Sequence, residues 1–160
     1  MDRLWAPWRM AYLTSGPAPS SRCFLCDTRT ALDDRAGLVV ARRAHAFLVL
    51  NAYPYASGHL MAVINSHVGP VERVDPAELA DAMALVQRAT TALTAEYRAD
   101  GFNIGLNQGQ VAGAGVPGHL HIHIVPRWQG DLNFMPVLGE VRVMPEALER
   151  TWERLRGQLA

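Results

Sequence analysis

Short apolar runs recur along the chain and predict β-strands. These runs are rich in β-branched and apolar residues, and turn-forming segments such as Arg42-Arg43 separate them. The last two runs flank a glycine-rich loop at residues 109–118, so we expect them to pair in antiparallel fashion. The predicted strands are Gly37–Ala41, Ala46–Leu50, Gly58–Ile64, Phe102–Asn107 and His119–Pro126.

Apolar residues at helical spacing predict one long helix after the third strand and a second helix from Pro145. For the long helix, Asp75 is the expected N-cap, Pro76 and Glu78 complete a capping box, and Gly101 supplies the stop. The element order predicts an α+β fold with an antiparallel sheet rather than repeated βαβ units. The apolar stripes are Leu79, Met83, Val86, Leu93 and Tyr97 in the long helix, and Leu148, Trp152, Leu155 and Leu159 in the C-terminal helix.

Length and composition fit a single domain over residues 1–160, with 49% hydrophobic and 19% charged residues. Fifteen basic and fifteen acidic side chains cancel, which argues against a nucleic-acid polymer as partner. There is no run of about 18 apolar residues and no signal-like N-terminus, so we expect a cytoplasmic protein with no membrane partner. The aromatic N-terminal extension, residues 1–22, is expected to pack on the domain or on a dimer partner.

Three histidines alternate with apolar residues in the segment HLHIHIV. In a strand, His119, His121 and His123 would share one face, with the apolar residues on the other. Three imidazoles are unusual on the solvent-facing side of a strand, so we expect them to carry chemistry. One interpretation is a catalytic zinc site in which two of them share an ion with a third ligand. The other is a nucleophilic histidine that attacks phosphorus or carbon while its neighbours orient it.

The glycine-rich loop before the triad favours the nucleophile. Its glycines, including Gly113 and Gly115, let backbone N–H groups converge on an anion, and Asn107 can add a side-chain donor. Arg127 follows the strand and can neutralise phosphate charge in a chain that has no lysine. The loop alone is a weak signal, but beside three histidines it indicates a phosphate site.

Cys23 and Cys26 are the two cysteines of the chain and have the C-x-x-C spacing of a metal clip or a redox pair. One zinc ion would need two further ligands from elsewhere in the chain. The alternative is a pair of thiols without a metal. A disulfide between them would close too small a loop to stabilise the fold much.

The HLHIHIV segment resembles the signature of the histidine triad (HIT) superfamily. The similarity extends to residues 50–61, to the loop NQGQVAGAG, to the exit Pro126-Arg127-Trp128 and to the N-terminal RLWAPWRMAYL. The chain is most similar to the bacterial branch of diadenosine tetraphosphate phosphorylases and dinucleoside polyphosphate hydrolases. This resemblance implies a HIT-like fold, with an antiparallel sheet, one long helix and a C-terminal helix, and a homodimer or higher homo-oligomer.

The resemblance also implies a nucleotidyl hydrolase or transferase that acts on dinucleoside polyphosphates. A nucleotidyl-histidine intermediate would form on the middle histidine, and water or inorganic phosphate would then release the nucleotide. Many relatives carry a Ser or Gln near the phosphate just before the triad, whereas this chain has Ala114, Gly115 and Val116. The expected catalytic residues are His121, His123 and His119, and the expected substrate-binding residues are His59, Asn51, Asn107, Gly113 and Gly115.

The resemblance further implies a structural zinc ion held by Cys23, Cys26, His67 and His119. Three alternatives stay open: a nucleotide-binding, zinc-stabilised interaction module with little turnover, a nucleoside phosphoramidase, and a zinc hydrolase that uses the triad as metal ligands. Donors in the pocket decide between water and phosphate as the acceptor, and sequence spacing does not reveal them.

Overall fold

The predicted apolar runs form one five-stranded antiparallel sheet. The computed structural model describes residues 22–131 and 146–159, and in it the strands lie in the order β1-β2-β3-β5-β4. Ile104 lies opposite Ile124, which confirms the antiparallel pairing of the two strands that flank the glycine-rich loop. The α+β class is therefore confirmed. Residues 1–21 of the N-terminal extension and the predicted helix start at Pro145 lie outside the described residues.

A short helix that begins just after Cys23 precedes the helices and strands predicted from the sequence. Two 3-10 turns, Val71–Arg73 and Gln110–Ala112, lie in the connections. The strands are β1 (Val39–Arg42), β2 (Ala46–Leu50), β3 (Leu60–Ile64), β4 (Gly101–Gly105) and β5 (His121–Arg127), and the helices are α1 (Phe24–Thr30), α2 (Pro76–Tyr97) and α3 (Leu148–Leu159).

β2 has the predicted bounds, and the other strands begin or end one or two residues away from theirs. β1 begins late because Leu38 has a φ of 56°, and β3 begins late because Gly58 turns the chain with a φ of 79°. β5 begins at His121 because the two residues before it bond elsewhere. His119 donates its backbone N–H to Val116, and Leu120 donates to Val68.

The N-terminus of α2 is capped as predicted by Asp75, whose carboxylate accepts the Ala77 N–H at 2.8 Å. The predicted capping box is wrong, because the Glu78 carboxylate turns away from the helix end and accepts two bonds from Ser66. The prediction that Gly101 ends α2 is also wrong. The left-handed residue that ends the helix is Arg98, with a φ of 51°, and Gly101 begins β4 instead.

α2 and α3 pack on one face of the sheet. Val86 and Leu93 are buried as predicted, but Met83 is 48% exposed because the buried face of α2 runs along Ala82 and Leu85. α3 packs beside it through Leu155 and Leu159, which confirms the predicted stripe at those positions. None of the helices within residues 22–131 and 146–159 combines the length and apolar content needed to cross a membrane.

The two faces of the sheet contact two separate apolar clusters. The larger cluster lies under α2 and α3 and includes the triad's apolar neighbours Leu120, Ile122 and Ile124, as the alternation predicts. The smaller cluster lies on the opposite face and is partly covered by Leu25 of α1; its other buried members are Val39, Phe47, Val49, Met61 and Val63. This second face carries the histidines.

Candidate active site and metal centre

The register of β3 and β5 sets where the triad points. Val63 lies opposite His121 and Met61 lies opposite His123, and residues directly opposite in an antiparallel pair share a face. Val63 and Met61 belong to the smaller cluster, so both histidines project from the face that the long helix does not cover. His119 precedes the strand, and its side chain lies beside the cysteines instead.

His121 is held in one tautomer by the backbone. The residue is 6% exposed, and its Nδ1–H donates to the carbonyl oxygen of His119 at 2.9 Å. Since Nδ1 carries the proton, Nε2 bears the lone pair. Burial lowers the pKa of His121 below its usual 6.5, so the ring is neutral at physiological pH. The arrangement therefore produces an uncharged imidazole with its lone pair fixed on Nε2.

His59 and His123 form an oriented pair beside His121. The backbone N–H of Tyr55 donates to Nδ1 of His59 at 3.1 Å, so the proton of His59 lies on Nε2. That Nε2–H donates to Nδ1 of His123 at 3.0 Å, which in turn leaves the proton of His123 on its own Nε2. Both rings are neutral, since burial lowers the pKa of His59 to about 3 and that of His123 to about 4, with nearby histidines adding to the effect.

Tyr55 is a part of this arrangement that the sequence did not single out. Besides its backbone bond to His59, its ring centroid lies 4.7 Å from that of His59 and 6.1 Å from that of His123. The indication available in the sequence was the position of Tyr55 in the predicted turn, four residues before His59. Turn geometry of this kind brings a backbone N–H to a ring nitrogen without any sequence motif of its own.

The two predicted asparagines shape the loops around the histidines. Asn51 accepts the backbone N–H of Tyr53 at 2.9 Å, and its Nδ2 lies 3.4 Å from Nδ1 of His59. Asn107 donates from Nδ2 to the carbonyl oxygen of Gly113 at 3.4 Å and so closes the glycine-rich loop. The structure brings Asn51 into contact with the histidine cluster, and it assigns Asn107 to the loop.

The glycine-rich loop does not form the predicted nest of converging donors at Gly113. The Gly113 N–H donates to Gln110, and the Ala112 and Ala114 N–H groups both donate to Gly109. These bonds close a 3-10 turn, with Gly109 and Gly113 at positive φ. The N–H of Gly113 is thus engaged inside the loop.

Arg127 is paired, in contrast to the expectation that it neutralises phosphate. Its guanidinium forms two bonds to the carboxylate of Asp131, at 2.6 and 2.7 Å, and a third to Asn103 at 2.9 Å. This bidentate pairing neutralises the charge locally. Arg127 therefore fixes the exit of β5.

The four predicted metal ligands converge. The Sγ atoms of Cys23 and Cys26 and the Nδ1 atoms of His67 and His119 all lie within 4.8 Å of one another. Nδ1 of His119 is 3.4 Å from Cys23 Sγ and 3.5 Å from Cys26 Sγ, and Nδ1 of His67 is 3.4 Å from Cys26 Sγ. A tetrahedral zinc with its usual bond lengths separates sulfur and nitrogen ligands by roughly 3.5 Å, so the donors fit this ion.

Surrounding contacts orient this centre. The Nε2–H of His119 donates to the carbonyl oxygen of Ile64 at 2.8 Å, which leaves Nδ1 free to bind a metal. Cys23 is the N-cap of α1 and Cys26 lies in its first turn, so the unpredicted helix presents both thiols from one element. Among residues 22–131 and 146–159, this is the one group of three or more His, Cys, Asp or Glu residues with such geometry. His121 and His123 are not in it, which leaves the zinc-hydrolase interpretation of the triad without geometric support.

His119 links the two clusters. Its side chain belongs to the candidate metal-binding cluster, and its carbonyl oxygen fixes the tautomer of His121. The sequence predicted both a catalytic and a metal-binding role for this residue. The structure places its ring with the cysteines and His67, whose ring centroid is 5.4 Å away.

The sheet topology and the alternating histidines of β5 define the family. A family model described as the HIT domain matches residues 35–130. The chain belongs to the HIT domain family, which confirms the resemblance inferred from the sequence.

Two relatives and one solved structure extend this assignment. An AP-4-A phosphorylase of Mycobacterium tuberculosis is 42% identical over 157 residues, covering 94% of this chain and 80% of that protein. A bis(5'-nucleosyl)-tetraphosphatase (asymmetrical) of Schizosaccharomyces pombe is 31% identical over 84 residues, covering 52% of this chain and 46% of that protein. The crystal structure of a Zn-bound histidine triad family protein from Mycobacterium smegmatis has a TM-score of 0.69 and 24% identity, covering 86% of this chain and 93% of that one. The last comparison shows the fold.

Proposed function

We propose that this chain is an enzyme that cleaves dinucleoside polyphosphates by transferring a nucleotidyl group through His121. The observation that carries the proposal is the bond from His121 Nδ1–H to the His119 carbonyl, which makes Nε2 the nucleophilic nitrogen. The activities named for the Mycobacterium tuberculosis and Schizosaccharomyces pombe relatives support the same substrate class. An uncharged, oriented imidazole is the group that phosphoryl chemistry of this kind requires.

In the first step, Nε2 of His121 attacks the α-phosphorus of the substrate. A P–N bond forms, and the P–O bond to the departing polyphosphate breaks. The bond from Nδ1 to the His119 carbonyl stabilises the positive charge that develops on the ring. His123 keeps its proton on Nε2 because His59 donates to its other nitrogen, so it supplies a hydrogen bond to a phosphoryl oxygen.

In the second step, water or inorganic phosphate attacks the same phosphorus and the P–N bond breaks. The imidazole returns to its neutral form, and the acceptor loses its proton. With diadenosine tetraphosphate, hydrolysis at the α-phosphorus yields AMP and ATP, whereas phosphorolysis yields ADP and ATP. Asn51 is proposed to contact the ribose, Asn107 to lie near the scissile phosphate, and Gly113 and Gly115 to position the loop that holds the phosphate.

The metal centre is proposed to be a structural zinc site with Cys23, Cys26, His67 and His119 as ligands. The matching donor distances support it, as does the zinc in the Mycobacterium smegmatis neighbour. Zinc would supply four bonds that tie α1 to the connection after β3 and to the start of β5. The ring of His119 would then be fixed, and its carbonyl oxygen would stay in place for His121.

The chain is further proposed to act as a cytoplasmic homodimer. β4 lies at one edge of the sheet, and Ile104 and Leu106 beside this edge are 47% and 37% exposed. An exposed edge strand with apolar side chains is a template for pairing with a second copy. The N-terminal extension is proposed to cover part of the domain or of the partner. Thiolate ligands require a reducing compartment, which favours the cytoplasm.

Incubation with diadenosine tetraphosphate, with and without inorganic phosphate, tests this function. We expect turnover in the wild type and none above background in His121→Asn, with nucleotide binding retained. His45→Asn is the matched control, because His45 is exposed and its hydrogen bonds to Asp81 and Asn65 are made by its backbone. Full activity in His121→Asn would refute the proposal, and ADP plus ATP only in the presence of phosphate would assign a phosphorylase.

The same assay separates the alternatives. An interaction module would bind adenine nucleotides and leave diadenosine tetraphosphate and adenylyl sulfate intact. A phosphoramidase would instead hydrolyse nucleoside phosphoramidates in preference to dinucleoside polyphosphates. Binding without cleavage in the wild-type protein would contradict the proposed enzymatic activity. A preference for nucleoside phosphoramidates would replace the proposed substrate class.

A further inference from the structure

One buried carboxylate is turned towards the connection that carries a metal ligand. Glu78 lies in the first turn of α2 and is 8% exposed. Its Oε1 accepts the backbone N–H of Ser66 at 2.8 Å, and its Oε2 accepts the Ser66 hydroxyl at 2.6 Å. Ser66 is thus held at two points by a single side chain, and charge-assisted bonds of this kind are among the stronger ones in proteins.

The capping of α2 does not explain this orientation. Asp75 already accepts the N–H of Ala77, and Pro76 has no N–H to satisfy. A glutamate at this position would ordinarily reach back to the N-cap backbone, whereas Glu78 reaches across to the preceding connection. Burying a carboxylate is costly, and the two bonds from Ser66 offset that cost. The side chain therefore has a partner outside its own helix.

The residue after Ser66 is the proposed zinc ligand His67. The other three ligands are fixed by other elements: the two cysteines by α1, and His119 by its bond to Ile64. His67 lies on an irregular connection and is exposed, so its position depends on how the backbone around it is held. The glycine-rich loop packs against the ring of His67. A Cβ placed on Gly118 would lie only 3.1 Å from His67 Nε2.

We propose that Glu78 is a positioning residue for the metal centre. Through Ser66 it holds the backbone at His67 so that Nδ1 stays at ligand distance from Cys26, 3.4 Å from its Sγ. This inference rests on the proposed zinc site. Groups that orient a ligand without touching the metal typically change metal affinity by about ten- to a hundred-fold when removed.

Zinc affinity measured by chelator competition tests the inference. We expect the zinc Kd to rise about ten- to a hundred-fold in Glu78→Ala, and less in Ser66→Ala, which keeps the backbone bond. The double variant should bind no more weakly than Glu78→Ala alone, because both residues act through one contact. Glu149→Ala is the matched control, since Glu149 also lies in the first turn of a helix but is exposed. Its Kd should equal that of the wild type.

Thermal unfolding with and without zinc separates positioning from a merely structural role. Positioning predicts that Glu78→Ala loses part of the Tm increase that zinc produces. An equal decrease in the Tm of the zinc-bound and zinc-free protein, with an unchanged zinc Kd, would overturn the inference. If Glu78→Ala does not fold, Glu78→Gln and Ser66→Ala decide: a several-fold rise in Kd supports the inference, and values within about twofold of the wild type contradict it. A wild-type protein that binds no zinc would refute the metal centre itself, and the inference with it.

Discussion

Acidification should destabilise the fold through His59. This ring is fully buried, and burial together with the neighbouring His123 and His121 lowers its pKa from 6.5 to about 3. Between these values the unfolded chain binds a proton at His59 and the folded chain does not. The free energy of unfolding therefore falls by about 1.4 kcal/mol for each pH unit below 6.5, and the loss at about pH 5 is about 2 kcal/mol. Above pH 6.5 the His59 ring is neutral in both the folded and the unfolded chain, so this loss is absent.

Urea unfolding of the wild type and of His59→Gln at about pH 7.5 and about pH 5 measures this contribution. Glutamine does not titrate, so the wild type should lose about 2 kcal/mol more than the variant between the two conditions. Metal release at low pH is common to both proteins and cancels in the difference. Equal losses in the wild type and in His59→Gln would show that His59 is not held neutral, and would remove the basis for its assigned tautomer.

Three further expectations concern the scaffold. Gly58→Ala should lower the free energy of unfolding by about 1–3 kcal/mol, because φ is 79° and the new Cβ would lie 2.7 Å from Leu93 Cδ2. Gly157→Ala should not destabilise, because beyond its own helix backbone the new Cβ would meet no atom within 4 Å. Leu155→Ala should cost about 2–5 kcal/mol in urea unfolding, since Leu155 is fully buried. Chelation should lower the Tm of the wild type and leave that of Cys26→Ser nearly unchanged.

Each expectation has an outcome that contradicts it. A Gly58→Ala variant as stable as the wild type would mean that the turn before His59 relaxes at no cost. A loss well under 1 kcal/mol in Leu155→Ala would place α3 outside the core. If chelation lowered the Tm of Cys26→Ser as much as that of the wild type, the cysteine would not be a ligand.

Alternation and spacing predicted the parts of the fold that local physics controls. β2 follows from its continuous apolar run, and the two faces of β5 follow from the period of two in a strand. The start of α2 follows from Asp75 and Pro76. α1 was missed because it is seven residues long and is stabilised by Leu25 packing on the sheet, a tertiary contact. The end of α2 was misplaced because Arg98 adopts the left-handed conformation that glycine usually provides.

The site was predictable in its residue types but not in its hydrogen bonds. The triad's alternation pointed to nucleophilic chemistry, but the tautomers of His59 and His123 depend on Tyr55 and on each other across 64 residues of chain. Glu78 occupies a capping-box position in the sequence, but in the folded chain its carboxylate accepts hydrogen bonds from Ser66. The pairing of His119 with Cys23 spans 96 positions, so the family resemblance rather than spacing suggested the ligand set.

Trapping the covalent intermediate tests the central claim most directly. Wild-type protein mixed with diadenosine tetraphosphate, quenched within one turnover and digested under alkaline conditions that preserve the acid-labile P–N bond, should give a peptide whose mass is increased by one adenylyl group. Fragmentation should place that group on His121, and the adduct should be absent from His121→Asn. Turnover without any adduct, or an adduct on another residue, would contradict the account.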